Sequence, residues 1–404
     1  MARQGFGLSR DLFDRYAALF GSEAIRRLRI GRPGGDALAA CAALWAMDQW
    51  YGGRPIPTQA VAMVAVDPAM RGAGLGSALM RAVLAEGRAS GAALSVLCPA
   101  TLPFYRRLGY GRGGVTCRWS APPTALIDGL HGGLQGGGND RDGALRPTDP
   151  LEAAPLAALR RPMLAGGNGV PERNEALWTL ALCPDGEPAD VFLLEGGDGR
   201  DPEGYIAVTP PRNRRLSVAD LCVTTGRSAR LALRFLAGYR AQVDRVVWRG
   251  GPDDPLALLA EDGVRMDGRE EWLLRVLDVR AALTGRGYPD GVAASVQLDL
   301  TDPLIPANHG RFRLRVADGR AAVAADAAAD TAADATTIAT AGQPPVAALG
   351  IAAFASLFTG HASARSLRQT GLLRAGDGDG DGDEAVALLD RLFGGARPWM
   401  PDRF

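Results

Sequence analysis

Short apolar runs separated by turn residues fill the first part of the chain: AIRRLRI (24–30), GRPGG, ALAACAALWAM (37–47), YGGRPIP and AVAMVAV (60–66). With Pro and Gly between them, these runs predict strands joined by hairpins. The alanine-rich run 37–47 fits a helix equally well, and propensity alone does not choose. A glycine-rich turn, RGAGLG (71–76), follows. Behind it GSALMRAVLAEGRASG (76–91) carries Leu79, Val83 and Leu84 at helical spacing. LSVLCP (94–99) reads as a buried strand, LPFYRRLGY (102–110) as a short helix ending at Gly109, and VTCRWSA (115–121) as a strand.

The run GLHGGLQGGGNDRDGALRP (129–147) has too little apolar area to order itself and predicts a linker. Beyond it the order strand, turn, helix, strand recurs: EGYIAVTPPRNRRLSVADLCV (203–223), TTGRSARLALRFLAGYRA (224–241), RVVWRG (245–250). This second copy has one glycine where the first has three, through duplication with loss of the site or through chance. From about residue 285, SVQLDLTDPLIPANHGRFRLRVADGRAAV (295–323) alternates as antiparallel strands do. AADAAADTAADATTIATAG (324–342) is low in complexity, PVAALGIAAFASLFTG (345–360) predicts a buried helix, and EAVALLDRLFGG (384–395) an amphipathic one. The expected organisation is 1–128, a linker at 129–145, 146–284 and 285–404.

Composition narrows the chemistry. The 404 residues suit two or three domains, and 47% hydrophobic with 22% charged residues suits a globular protein. Net charge is zero, so nothing argues for nucleic acid. All 45 cationic residues are arginine, which excludes Schiff-base chemistry and a Walker lysine. Five scattered cysteines without a CxxC pair read as reduced thiols of a cytoplasmic protein. The N-terminus lacks the pattern of a signal peptide, and the run 37–47 is too short to cross a bilayer. Three separated histidines offer no metal site, and an EF-hand loop begun at Asp377 meets Leu388 where it needs Glu.

The turn 71–76 is the candidate binding element. A dinucleotide fingerprint fits poorly, because no acid stands near Val96, about twenty residues on. As Arg71-x-x-Gly74-x-Gly76 after a strand, the turn resembles the acetyl-CoA pyrophosphate loop of the GCN5-related N-acetyltransferases. Unpaired amides at a helix N-terminus, together with the helix dipole, favour an anion there. Side chains at 72, 74 and 76 would hold a pyrophosphate away, and Arg71 adds positive charge. The resemblance continues at Phe104-Tyr105-Arg106-Arg107-Leu108-Gly109-Tyr110, which matches the family's F-Y-x-x-x-G-F/Y signature.

The Gly-rich break, the degenerate second copy and DPLIPANHGRFRLRVADGRA (302–321) make the layout resemble the Eis-like members, with NEALWTLAL (174–182), LLRVLDVRAALTGRGY (273–288) and DEAVALLDRLF (383–393) as further echoes. The resemblance implies an α/β (α+β) fold: a mixed central sheet of acetyltransferase type, duplicated, then an α+β sterol-carrier-like domain. It implies Tyr105 as general acid toward the departing thiolate and the terminal carboxylate of Phe404 as base. Acetyl-CoA contacts map to Val64, Ala65 and Val66, to Arg71, Gly72, Ala73, Gly74, Leu75, Gly76 and Ser77, and to Ala100 and Thr101. The implied acceptor is a primary amine of a small molecule or a peptide lysine, attacked directly in a ternary complex with no metal and no membrane or nucleic-acid partner. The implied assembly is a homo-oligomer, a hexamer. Arg403 beside the last residue argues against polycationic aminoglycosides. Tyr110 reads as packing, and Trp45, Trp50 and Tyr51 as either cleft or core. The alternative reading is a non-catalytic acyl-CoA or lipid-binding protein working through its sterol-carrier-like region.

Overall fold

The structure is a computed structural model that describes residues 14–15, 18–19, 21, 24–32, 35–128, 144–149, 153–184, 186–196, 201–260, 262–325, 344–376 and 381–402. Most of the expected linker, the stretch 326–343, residues 377–380 of the acidic run, and Arg403 with Phe404 lie outside the described residues.

The first elements are β1 (Ile25–Arg32), β2 (Gly35–Tyr51), β3 (Arg54–Val66), α1 (Leu75–Ala89), β4 (Leu94–Leu97), α2 (Leu102–Arg106) and β5 (Gly111–Ala121). The middle of the chain forms β6 (Leu145–Thr148), α3 (Ala153–Gly166), α4 (Glu175–Leu182), β7 (Asp190–Leu194), β8 (Gly204–Arg212), β9 (Arg215–Val223), α5 (Gly226–Ala237), β10 (Arg245–Gly250) and β11 (Arg265–Val276). The last part forms α6 (Val279–Gly285), β12 (Ala294–Thr301), β13 (Gly310–Ala317), β14 (Arg320–Ala325), β15 (Val346–Gly350), α7 (Ile351–Thr359), α8 (Ala364–Gln369), β16 (Leu373–Ala375) and α9 (Asp381–Phe393).

Two compact units result: 1–114 with 271–398 and 404, and 115–270 with 399–403. In the first unit β1, β2 and β3 form an antiparallel meander, β4 lies parallel to β3, and the end of β11 pairs antiparallel with β4 from Leu273↔Leu97 to Val276↔Leu94. The alanine-rich run is therefore strand. Its partners on both sides supply backbone hydrogen bonds that local propensity does not anticipate. Helix α1 buries Leu79, Met80, Val83 and Leu84 in a core shared with Leu44, Val61, Leu97 and Leu273.

The same unit holds a five-stranded sheet ordered β14-β13-β12-β15-β16. β12, β13 and β14 are antiparallel as expected, whereas β15 runs parallel to β12 from Gln297↔Val346 to Thr301↔Gly350. The apolar run 345–360 is thus strand for its first half and helix only from Ile351. An unbroken apolar run carries no period that separates the two, and here Gly350 at the helix N-cap marks the change.

In the second unit β5 pairs antiparallel with β10, β10 lies parallel to β9, and β9, β8, β7 and β6 follow antiparallel. The unit limits therefore differ from the expected segment limits: β5 contributes its end to the second unit and β11 its end to the first. The antiparallel pair, helix and parallel strand of the first unit (β2–β3, α1, β4) recur here as β8–β9, α5 and β10.

Candidate active site

The site begins at the end of β3. Pairing with β4 stops at Val61↔Leu97, five residues before Val66, so Ala62–Val66 receives no partner from β4. One extra residue on β3 is accommodated opposite Cys41–Ala43, where Met63 adopts φ 51°. A β-bulge of this kind redirects the residues that follow it. They are Val64 and Val66, half-buried, and Ala65, buried. Left-handed backbone at a methionine costs about 1–2 kcal/mol, which surrounding structure must offset.

Asp67 then ends the strand. Its N–H donates to Ala39 O at 2.9 Å, and its carboxylate accepts from the N–H of Ala69 at 2.9 Å. After this one-turn 3₁₀ segment the chain passes exposed Arg71, Gly72, Ala73 and Gly74 into α1. Gly72 and Gly74 stand at φ 85° and 76°, and a Cβ on either would meet nothing within 4 Å. Their lack of a side chain thus serves backbone conformation and leaves open space above the turn. Gly76 is different: a Cβ there would lie 3.3 Å from Val66 and 3.4 Å from Phe104. That glycine lets α1 sit against β3 and α2.

Among the described residues no side chain caps α1. Its first backbone bond runs from Ala78 N to Gly74 O at 3.0 Å, so the amides of Leu75, Gly76 and Ser77 precede the hydrogen-bond ladder. Three amides, the helix dipole and exposed Arg71 suit a diphosphate.

Ala100 and Thr101 are exposed and lead into α2, where Phe104 and Tyr105 stack edge-on at 4.8 Å. Tyr105 is buried, yet its hydroxyl has no hydrogen-bond partner among the described residues. Burial pushes that phenol up to about 12, so it holds its proton at neutral pH. Gly109, at φ 84°, turns the chain so that Tyr110 N donates back to Tyr105 O at 3.2 Å; a Cβ at Gly109 would strike the Arg275 guanidinium at 2.8 Å. Tyr110 is fully buried and shares a hydrogen bond of 2.8 Å with Ser95. Trp50 and Tyr51 are also buried, and Tyr51 packs against Phe358 at 5.3 Å.

The corresponding turn of the second unit is closed. Only two residues separate β9 from α5, against eight between β3 and α1. Thr225 Oγ1 accepts from Ser228 N at 3.1 Å, and Ser228 Oγ accepts from both Thr224 N and Thr225 N at 3.1 Å. This reciprocal cap takes the third leading amide of α5, that of Ser228, and turns the amides of Thr224 and Thr225 onto the Ser228 hydroxyl. Its sequence signal, Thr-x-x-Ser ahead of an apolar helix, was legible. The bulge at Met63 had no signal in the sequence.

The structure thus brings together the end of β3, the turn 71–77 and α2, through Val66, Gly76, Phe104 and Tyr105. Phe404 lies outside the described residues. Among the described residues no group of three His, Cys, Asp or Glu side chains is placed to hold a metal.

Comparison with known proteins gives matches along the chain. Family models described as acetyltransferase (GNAT) domains match residues 14–113 and 169–276, and one described as a sterol carrier protein domain matches 279–401. An uncharacterized N-acetyltransferase of Streptomyces griseus is 30% identical over 400 residues, covering 87% of this chain and 83% of its own. N-acetyltransferase Eis of Mycobacterium tuberculosis is 29% identical over 280 residues, covering 66% of this chain and 65% of its own. The crystal structure of a GCN5-related N-acetyltransferase from Anabaena variabilis superposes with a TM-score of 0.85 at 30% identity, covering 100% of this chain and 95% of that one.

Proposed function

Because the chain belongs to the GCN5-related N-acetyltransferases, with two acetyltransferase domains and a sterol-carrier domain in the Eis-like arrangement, we propose that it transfers acetyl from acetyl-CoA to a primary amine of a small molecule or a peptide lysine by direct attack in a ternary complex. The observation that carries this reading is the uncapped start of α1. Leu75, Gly76 and Ser77 offer amides to the diphosphate, with Gly72 and Gly74 keeping the approach clear and Arg71 adding charge. Ala73 belongs to the same turn, and Ala100 and Thr101 line the entry to α2. The unpaired edge at Val64, Ala65 and Val66 gives main-chain donors for the rest of the coenzyme and for the growing oxyanion.

Chemistry then needs a base and an acid. The substrate arrives as an ammonium and gives one proton to the terminal carboxylate of Phe404. The free amine attacks the thioester carbonyl carbon, forming the C–N bond. As the C–S bond breaks, Tyr105 donates its phenolic proton to sulfur, and the proton still carried by the new nitrogen restores the phenol. Ammonium and thioester thus become amide, thiol and one released proton. A phenol held near 12 stays loaded for this task.

The test is thiol release from acetyl-CoA across a panel of monoamines, polyamines and lysine peptides, comparing wild type, Tyr105→Phe and a chain lacking Phe404. The reading stands if both variants lose turnover while still binding coenzyme A. It fails if wild type binds no coenzyme or if Tyr105→Phe keeps full kcat.

A further inference from the structure

Behind the turn that follows Tyr105 lies a buried ion pair. Arg275, near the end of β11, donates from Nη2 to both carboxylate oxygens of Asp302, at 2.8 and 2.7 Å, and from Nη1 to Val276 O at 2.9 Å. Neither side chain is exposed. Asp302 is itself held: its Oδ1 accepts from Leu304 N at 3.0 Å and Ile305 N at 3.1 Å, and its Oδ2 from Asn308 Nδ2 at 3.2 Å. A carboxylate fixed in this way sets the direction of the guanidinium plane that it binds.

The turn rests on that guanidinium. In the register of β11 with β4, Arg275 stands directly opposite Ser95, so the two side chains share one face of the sheet. There Ser95 meets the Tyr110 hydroxyl, and Arg275 closes under Gly109, where a Cβ would come within 2.8 Å of Nε and Cζ. Nε has no hydrogen-bond partner among the described residues, so the contact with Gly109 is steric. Ile351 presses on the same glycine, and a Cβ at Gly111 would strike Ala352 O. Leu304 and Ile305, beside Asp302, pack into the core that holds Tyr105, Leu108 and Tyr110.

Backbone bonds pass this placement to the phenol. Leu108 N and Tyr110 N both donate to Tyr105 O, at 3.0 and 3.2 Å. All these residues belong to the first unit. Tyr105 and Gly109 nevertheless fall in the first acetyltransferase match, Arg275 in the second, and Asp302 in the sterol-carrier match. Apolar side chains fill such a space with little or no loss of stability. The planar fork of an arginine adds a fixed direction that they lack.

We infer that Arg275 is a positioning residue for Tyr105: locked by Asp302 of the sterol-carrier segment, it sets the Gly109–Tyr110 turn and with it the place of the phenol. The sterol-carrier segment is then a part of the acetyltransferase site. This inference rests on the reading of Tyr105 as the acid.

The experiment is a mutant cycle in the full-length protein. Arg275→Lys, and Arg275→Met combined with Asp302→Asn, are each made in wild type and in Tyr105→Phe. The combined substitution leaves no buried charge unpaired and keeps an acceptor for Leu304 N and Ile305 N, which preserves folding where a single loss does not. Turnover of the amine that wild type acetylates fastest is measured per folded molecule, with the folded fraction read by chemical denaturation. In the wild-type background the combined substitution lowers kcat by about 10–100-fold, with KM for acetyl-CoA within about twofold. Arg275→Lys, which keeps the charge without the fork, loses less. In the Tyr105→Phe background the same substitutions change kcat by less than about twofold, because the hydroxyl that they displace is already gone. Equal losses in both backgrounds are general structural damage and overturn the inference, as does wild-type kcat in the combined variant. Either result leaves the acid reading standing where Tyr105→Phe alone lowers kcat. Full kcat in Tyr105→Phe alone overturns the acid reading and the inference together.

Discussion

The Tyr105 and Tyr110 rings stand edge to face, 5.8 Å apart and 76° to one another, but among the described residues only the Tyr110 hydroxyl has a hydrogen-bond partner, Ser95 at 2.8 Å. The two phenols therefore separate on mutation. Tyr105→Phe lowers kcat by about 10²–10⁴ and leaves stability nearly unchanged. Tyr110→Phe leaves buried Ser95 unpaired and costs about 1–3 kcal/mol of stability with little effect on kcat in the folded fraction. Because burial holds the Tyr105 phenol up to about 12, kcat shows no alkaline fall from loss of its proton below that range. Denaturant titration and steady-state kinetics of the two variants check the pair.

Gly74→Ala acts through conformation alone. The added methyl meets nothing within 4 Å, but the backbone at φ 76° costs an alanine about 1–2 kcal/mol. The turn relaxes away from that geometry, so KM for acetyl-CoA rises while the melting temperature moves little. Gly76→Val instead drives a side chain into Val66 and Phe104 and lowers stability. Kinetics and thermal melts of both variants distinguish the two kinds of glycine.

The closed turn of the second unit fixes the binding stoichiometry. Calorimetric titration with coenzyme A gives one site per chain. Thr225→Ala removes a cap worth about 1 kcal/mol and lowers the melting temperature, leaving kcat unchanged. A second equivalent of coenzyme A bound by wild type would show that the Thr225–Ser228 cap does not close the site.

Asp254 links stability to pH. Burial pushes its carboxyl up to about 6, against the opposing pull of N–H groups from Ala257, Trp248 and Leu256. The folded chain keeps this proton to about pH 6, whereas the unfolded chain releases it near 4. Between those values the native state binds more protons, so this residue's contribution makes stability fall as pH rises, and the fall is complete above pH 6. Asp254→Asn keeps the acceptor oxygen, removes the charge, and stabilises at pH 7.5 by about 1–3 kcal/mol with a flatter pH dependence. Chemical denaturation at pH 5 and 7.5 gives both numbers.

The sequence by itself determined what is local. The helix over 75–89 follows from its apolar spacing, the glycine turn ahead of it from the run 71–76, and the duplicated order of strand, turn, helix and strand from patterning alone. The tertiary structure decided what depends on partners far along the chain. Ala37–Met47 is strand because β1 and β3 pair with it, and Val346–Gly350 is strand because β12 lies beside it. The bulge at Met63, the exchange of strand ends between β5 and β11, and the meeting of Arg173 with Asp402 across 229 residues leave no periodic trace. Periodicity reports which face of an element is buried. It does not report which distant backbone or charge completes that burial, and the candidate site is built from such completions.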